Sequence, residues 1–158
     1  IVKSMVLLST YTHGDFRGNA LFRGFLKARK VLDKEDYINL IMPWLYSHND
    51  YQIPSLIDNL SRYLLEDPFY QDNDSYERQM EATIRYSSRN RLHKILCPTL
   101  LIFGGDDIIT PTRFATELAF GIEDSKLITL EGTGHGFANT RSEEISVLIN
   151  NFIGRNAK

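Results

Sequence analysis

The sequence predicts an α/β fold: a parallel sheet flanked by helices, with a helical cap insertion between the first strand and the rest. Three observations carry this. Met5–Leu8, Leu100 to Phe103 and Lys126 to Leu130 are short runs of strand-like composition. An amphipathic helical segment follows the second and the third of them, and that alternation predicts parallel strands covered by helices. Between the first and second strands, residues 13–92 carry helical periodicity and no convincing strand.

The bulk properties narrow the class. A chain of 158 residues is long enough for one domain with a real core. Apolar residues make up 42%, and no run is long enough to span a bilayer, so a soluble protein is expected. The net charge of −2 gives no reason to expect nucleic acid or a membrane as a partner. The single cysteine, Cys97, excludes an internal disulfide framework and points to a reducing, cytoplasmic location. Its place directly before Pro98 suits a small buried hydrophobe.

Each element has its own signals. The chain opens at a strand, with neither an initiator Met nor a basic leader, so an absent upstream neighbour is expected. Met5–Leu8 is continuously apolar, as a strand buried on both faces would be. Leu21, Phe22, Phe25 and Leu26 give a helix over about 16–32. Asp33 opens an acidic first turn for a helix through Tyr37, Ile38, Ile41 and Met42, with Pro43 inside it or at its end. Pro54 suits the first turn of a helix carrying Leu56, Ile57, Leu60, Tyr63 and Leu64, which Asp67-Pro68 stops. Ser75 reads as the N-cap of a helix through Tyr76, Met80 and Ile84 to about Leu92. Thr110-Pro111 opens a helix with Phe114, Ala115, Leu118 and Ala119 inward and Gly121 just past its end. Thr140-x-x-Glu143 is a capping box for a last helix with Ile145, Leu148, Ile149, Phe152 and Ile153 on one face.

In a parallel sheet ligands bind at the carboxyl ends of strands, where the chemistry-bearing residues fall. Asp107 follows the second strand through Gly104-Gly105, a pair that permits a sharp turn. His135 follows the third strand, between Gly134 and Gly136, and a histidine side chain is the one suited to taking and returning a proton. A carboxylate so placed orients an imidazole and stabilises its charged form. Asp106 is the alternative acid. His13, His48 and His93 have no ligand spacing, and GGDD lacks the G-K of a phosphate loop, so no metal and no cofactor is expected.

The segment from about Ser75 onward resembles the C-terminal half of an α/β-hydrolase, in the branch of lactonases, esterases and haloperoxidase-like enzymes. Pro98–Pro111, Gly134-His135 and the last amphipathic helix carry the resemblance, and the opening MVLLST is similar to the strand before the cap. It implies that residues 1–12 and 93–158 belong to the hydrolase core and 13–92 to the cap and its return helix. It selects Asp107, three positions after Gly104, as the supporting acid and His135 as the proton carrier. No serine here stands in a G-x-S-x-G elbow, and the HG-type oxyanion loop is absent too. The resemblance therefore implies a partial fold lacking the N-terminal half, with the nucleophile outside the chain and the isolated chain inactive. The implied substrate is a small carboxylic ester or lactone. A non-catalytic binding module on the same scaffold, or a dehalogenase with an upstream Asp nucleophile, are the alternatives.

The insertion's aromatics, Phe16, Phe22, Phe25, Trp44, Tyr46 and Tyr51, either line a pocket or pack the cap. Trp44, beside Pro43, is singled out for substrate contact, and Ile109 and Phe137 flank the two catalytic loops. Met5–Leu8 would lack a neighbour on one side, so a missing N-terminal half or another chain is expected at that edge.

Overall fold

The structure, a computed structural model, describes residues 2–156. β1 (Met5–Leu8), β2 (Thr99–Gly104) and β3 (Ser125–Leu130) form a parallel sheet in that order. Leu7 stands opposite Leu101, and Leu101 opposite Leu127.

The central strand explains its own composition. β2 is buried at every residue because both of its faces are covered. Leu101 and Phe103 turn to one side, onto Leu92 and onto Ala115, Leu118 and Ile122 of the α6 segment (α6, Thr112–Gly121). Leu100 and Ile102 turn to the other, onto Leu130, Phe137 of α7 (Phe137–Thr140) and Ile145 of α8 (Ser142–Asn156). Burying four such side chains stabilises the fold by about 1.5–3 kcal/mol each before entropy is counted. β1 differs from expectation: its residues are half-buried, and Leu8 is 36% exposed. It is an edge strand whose second side pairs with no strand among the described residues.

The insertion is helical throughout: α1 (Phe16–Val31), α2 (Lys34–Leu45), α3 (His48–Tyr51), α4 (Leu56–Glu66) and α5 (Asn73–Arg85). Asp15 and Asp33 cap α1 and α2, accepting from the N–H of Gly18 and Asp36. The insertion has its own core, Ile38, Met42 and Tyr46 of the α2 region against Ile57, Leu60 and Leu64 of α4. None of the described helices is long and apolar enough to cross a membrane.

Several local expectations give way to tertiary demands. Pro43 lies inside α2, which continues to Leu45. Pro54 precedes α4 rather than joining its first turn; Ser55 follows it at φ 60° and the helix starts at Leu56. Ser75 is not a cap but the third residue of α5, donating its N–H and hydroxyl to the true cap, Asp72, at 2.8 Å each. The helix ends at Arg85, not near Leu92, because the chain turns extended at Tyr86 and bridges through Ser87 to His13 in the segment leaving β1. The Gly14 N–H donates to the Tyr86 carbonyl at 3.2 Å and the Ser88 N–H to the Thr12 carbonyl at 2.7 Å. A 3₁₀ turn, Arg89–Lys94, then leads to the sheet. Gly121 closes α6 from within; a Cβ there would sit 2.4 Å from Leu92 Cδ1, so packing and not a left-handed cap requires the glycine. The Thr140 capping box does not form: Thr140 ends α7, its buried hydroxyl has no partner among the described residues, and the Arg141 carbonyl takes the Ile145 N–H. Ile153 is 44% exposed, off the inner face of α8.

The two glycine contrasts are measurable. Gly24 on the exposed side of α1 has open space where a Cβ would go, so Gly24→Ala should stabilise by about 0.5–1 kcal/mol. At Gly134 a Cβ would meet the Leu45 carbonyl oxygen at 2.7 Å and the Ser47 nitrogen at 2.8 Å. Gly134→Ala should therefore destabilise by about 1–3 kcal/mol. Urea midpoints of the two variants should move in opposite directions.

Candidate active site

The site is assembled where β2 and β3 end. Gly104 closes β2, and a Cβ on it would lie 2.5 Å from the Thr133 carbonyl oxygen and closer still to that of Gly134. The two loops thus touch backbone to backbone. The Gly105 N–H donates to Leu130 O and the Asp106 N–H to Thr133 O, both at 2.9 Å. The glycines around His135 act in the same way. Neither has a positive φ, which occurs among glycines only at Gly132 (φ 70°). Gly134 and Gly136 instead make room for the end of α2, where the Gly136 N–H donates to Leu45 O at 2.7 Å and the Tyr46 ring occupies the space of a Gly136 side chain. Ser47 and Asn49 complete the join, donating from Oγ and Nδ2 to the Gly132 carbonyl at 2.9 and 3.2 Å.

Asp107 is buried beside this seam, while Asp106 is exposed. Its Oδ1 accepts the N–H groups of Ile109 and Thr110, each at 2.8 Å. Its Oδ2 accepts the Thr110 hydroxyl at 2.7 Å and His135 Nδ1 at 2.8 Å. Burial pushes this carboxyl up, but the bond and charge of His135, with the Thr110 donors, outweigh it and hold Asp107 below its ordinary value. An ionised carboxylate only accepts, so Nδ1 carries the proton and Nε2 keeps its lone pair. Nε2 makes no hydrogen bond among the described residues, and the side chain is 27% exposed. The arrangement can take a proton at Nε2 and stabilise the resulting imidazolium.

Thr110 escaped the sequence reading, which used it only to open a helix. It bonds Asp107 through both N–H and hydroxyl, and its oxygen lies 3.2 Å from His135 Nδ1. The pattern D-x-x-T after a strand, an Asx-type turn, was the available signal. Ser9, at the carboxyl end of β1, is a second one: its φ of 36° is in the left-handed region and its buried hydroxyl has no partner among the described residues.

A cavity of about 400 Å³ lies among the helices of the insertion. Phe22, Phe25 and Arg29 of α1, Ile41 and Leu45 of α2, and Tyr70 line it, and Ile109 closes it on the acid-loop side. Ile109 belongs to the acid loop and the Leu45 carbonyl accepts the Gly136 N–H of the histidine loop, so the chamber reaches both loops, although neither Asp107 nor His135 lines it. Trp44 does not line it; its ring packs edge-on to Phe25, with centroids 5.8 Å apart. Phe137 is 1% exposed in the core behind the sheet and does not line it either. Phe16 and Tyr51 face solvent at 98% and 43% exposure. A roomier depression, about 540 Å³, lies among His13, Arg89, Arg113 and Glu117 and includes neither Asp107 nor His135. His13 is half-buried there, its Nδ1 2.9 Å from the Thr12 hydroxyl; His48 and His93 are exposed. No cluster of three metal-ligating side chains occurs among the described residues.

An acid after one strand and a histidine after the next, on a parallel sheet flanked by helices, match the C-terminal part of an α/β-hydrolase. The family profile described as TAP-like protein matches residues 67–155, more than half of the chain, and the chain belongs to that α/β-hydrolase family. It is 32% identical over 77 residues to the pimeloyl-[acyl-carrier protein] methyl ester esterase of Neisseria meningitidis, a match covering 49% of this chain and 30% of the relative. It is 41% identical over 64 residues to the AB hydrolase superfamily protein YisY of Bacillus subtilis, covering 40% and 24%. In structure it is similar to the enol-lactonase of Burkholderia xenovorans, with a TM-score of 0.82 at 15% identity over 97% of this chain and 56% of that one. The matched stretch thus spans less than a third of the length of these curated relatives.

The lowered value of Asp107 has a definite sign. The folded state binds this proton less readily than the unfolded state, so the group stabilises the fold above its ordinary value of 3.8. That contribution is lost as pH falls through the lower folded value. Wild-type stability should therefore drop on acidification below about pH 4 more steeply than that of Asp107→Asn. At neutral pH Asp107→Ala should cost about 3 kcal/mol or more, since three donors and His135 lose their acceptor. Urea titrations across this pH range check both.

Proposed function

We propose that this chain is the C-terminal portion of a serine hydrolase acting on a carboxylic ester or lactone. The observation that carries this reading is the 2.8 Å bond from His135 Nδ1 to the buried Asp107 carboxylate, on loops that an apolar cavity reaches at Ile109 and Leu45. The hydrolase family, and the esterase and enol-lactonase among its relatives, support it.

In this reading the nucleophilic serine comes from outside the 158 residues, on a segment that continues the sheet along the open side of β1. His135 Nε2 takes the serine proton as the hydroxyl attacks the carbonyl, then gives it to the leaving alcohol. Water repeats the sequence to release the acid. Asp107 fixes the tautomer and ring orientation and stabilises the imidazolium. Thr110 positions Asp107, and Ile109 and the cap aromatics Phe22 and Phe25 cover the acyl chain and exclude water.

In the intact protein, His135→Ala should lower kcat for a p-nitrophenyl ester by on the order of 10⁵-fold or more, and Asp107→Asn by on the order of 10³–10⁴-fold. A serine-directed phosphonate should label the intact protein once per active site. Full turnover by His135→Ala, or no labelling of an active preparation, would overturn the reading.

A further inference from the structure

Arg29 is 7% exposed and lines the cavity among the helices of the insertion. A buried guanidinium is costly unless a negative charge compensates it. Among the described residues none does: no carboxylate comes within 4.0 Å of Arg29. Its partners are neutral. Nε donates to Asn73 Oδ1 at 3.3 Å, one terminal nitrogen to the Tyr70 hydroxyl and the other to the Gln71 carbonyl. These use three of its five N–H groups. The rings of Tyr37, Tyr70 and Tyr76 stand 5.2, 4.2 and 4.6 Å from its central carbon. Burial raises the pKa of all three phenols, so none supplies a tyrosinate at neutral pH. Lys34 Nζ, 4.1 Å from the Tyr70 ring, adds positive charge from behind. Asp67 also borders the cavity, and one of its carboxylate oxygens is committed to the Phe69 N–H at 2.8 Å.

The chamber is thus apolar over most of its wall, reaches the acid loop at Ile109, and holds at Arg29 a cation without an anion. We propose that Arg29 binds a carboxylate at the end of the substrate's acyl chain remote from the scissile bond, so that the site takes half-esters of dicarboxylic acids or lactones bearing a free carboxylate. This rests on the hydrolase reading above for the role of the cavity, though the anion site itself does not need turnover. A purely structural Arg29, clipping α1 to the Tyr70–Asn73 loop, would give no preference for a charged chain end.

Equilibrium binding separates these outcomes. Adipate and its neutral isostere adipamide are titrated into the intact wild-type protein by calorimetry. Adipate should bind on the order of tenfold tighter or more, and Arg29→Met should erase the difference. Arg29→Lys, which keeps the charge and loses the planar fork, should bind adipate several-fold more weakly than wild type and covers the case in which Arg29→Met does not fold. Equal binding of adipate and adipamide to the wild type, or undiminished adipate binding in a folded Arg29 variant, overturns the inference. Turnover is scored separately, as kcat/KM for monomethyl against dimethyl adipate: hydrolysis of neither ester, with adipate still selected, would count against the hydrolase reading and leave the anion site standing.

Discussion

The structure depends on a close approach of three backbones. The end of β2, the loop after β3 and the end of α2 meet at Gly104, Gly134 and Gly136, at distances that leave no space for side chains. This seam places the acid loop, the histidine loop and the cap at fixed positions relative to one another. Without it the Asp107–His135 bond would have no defined length and the cap no floor.

The polar network then builds outward from a single carboxylate. Asp107 accepts four hydrogen bonds, two from the backbone of its own loop, one from the Thr110 hydroxyl and one from His135. Three of these exist before any histidine is considered, so the loop is pre-shaped to hold an ionised acid. The opposing effects of burial and hydrogen bonding are resolved in favour of ionisation because every acceptor direction is filled. The resulting charge fixes which nitrogen of His135 keeps its proton. The helical insertion holds an apolar chamber that reaches the acid loop at Ile109, and its buried cation sits among neutral tyrosines.

Much of this was legible in the sequence. The fully apolar β2 announced two covered faces, and Gly104-x-x-Asp107 with Gly134-His135 announced an acid and a histidine on strand ends. The cap was legible as helices but not in its boundaries: Ser75 and Thr140 have cap-forming side chains, yet Asp72 and Arg141 hold those places. Side-chain chemistry alone does not say which residue near a helix start stands at the cap position. Thr110 had a local signal in D-x-x-T, whereas Arg29 was invisible for another reason, since its hydrogen-bond partners lie 41 or more residues away.

By itself the sequence determined the strand–helix alternation, because hydrophobic periodicity is local, and placed His135 and an acid, Asp107 or Asp106, on strand-end loops; the family resemblance selected Asp107. The tertiary structure decided what each residue faces. It set Ile109 and Arg29 on the cavity wall, withdrew Phe137 into the core and turned Trp44 against Phe25. It also showed that the glycines beside His135 serve contact and not conformation. Packing distance between distant segments is a property of the folded chain, and no local pattern encodes it.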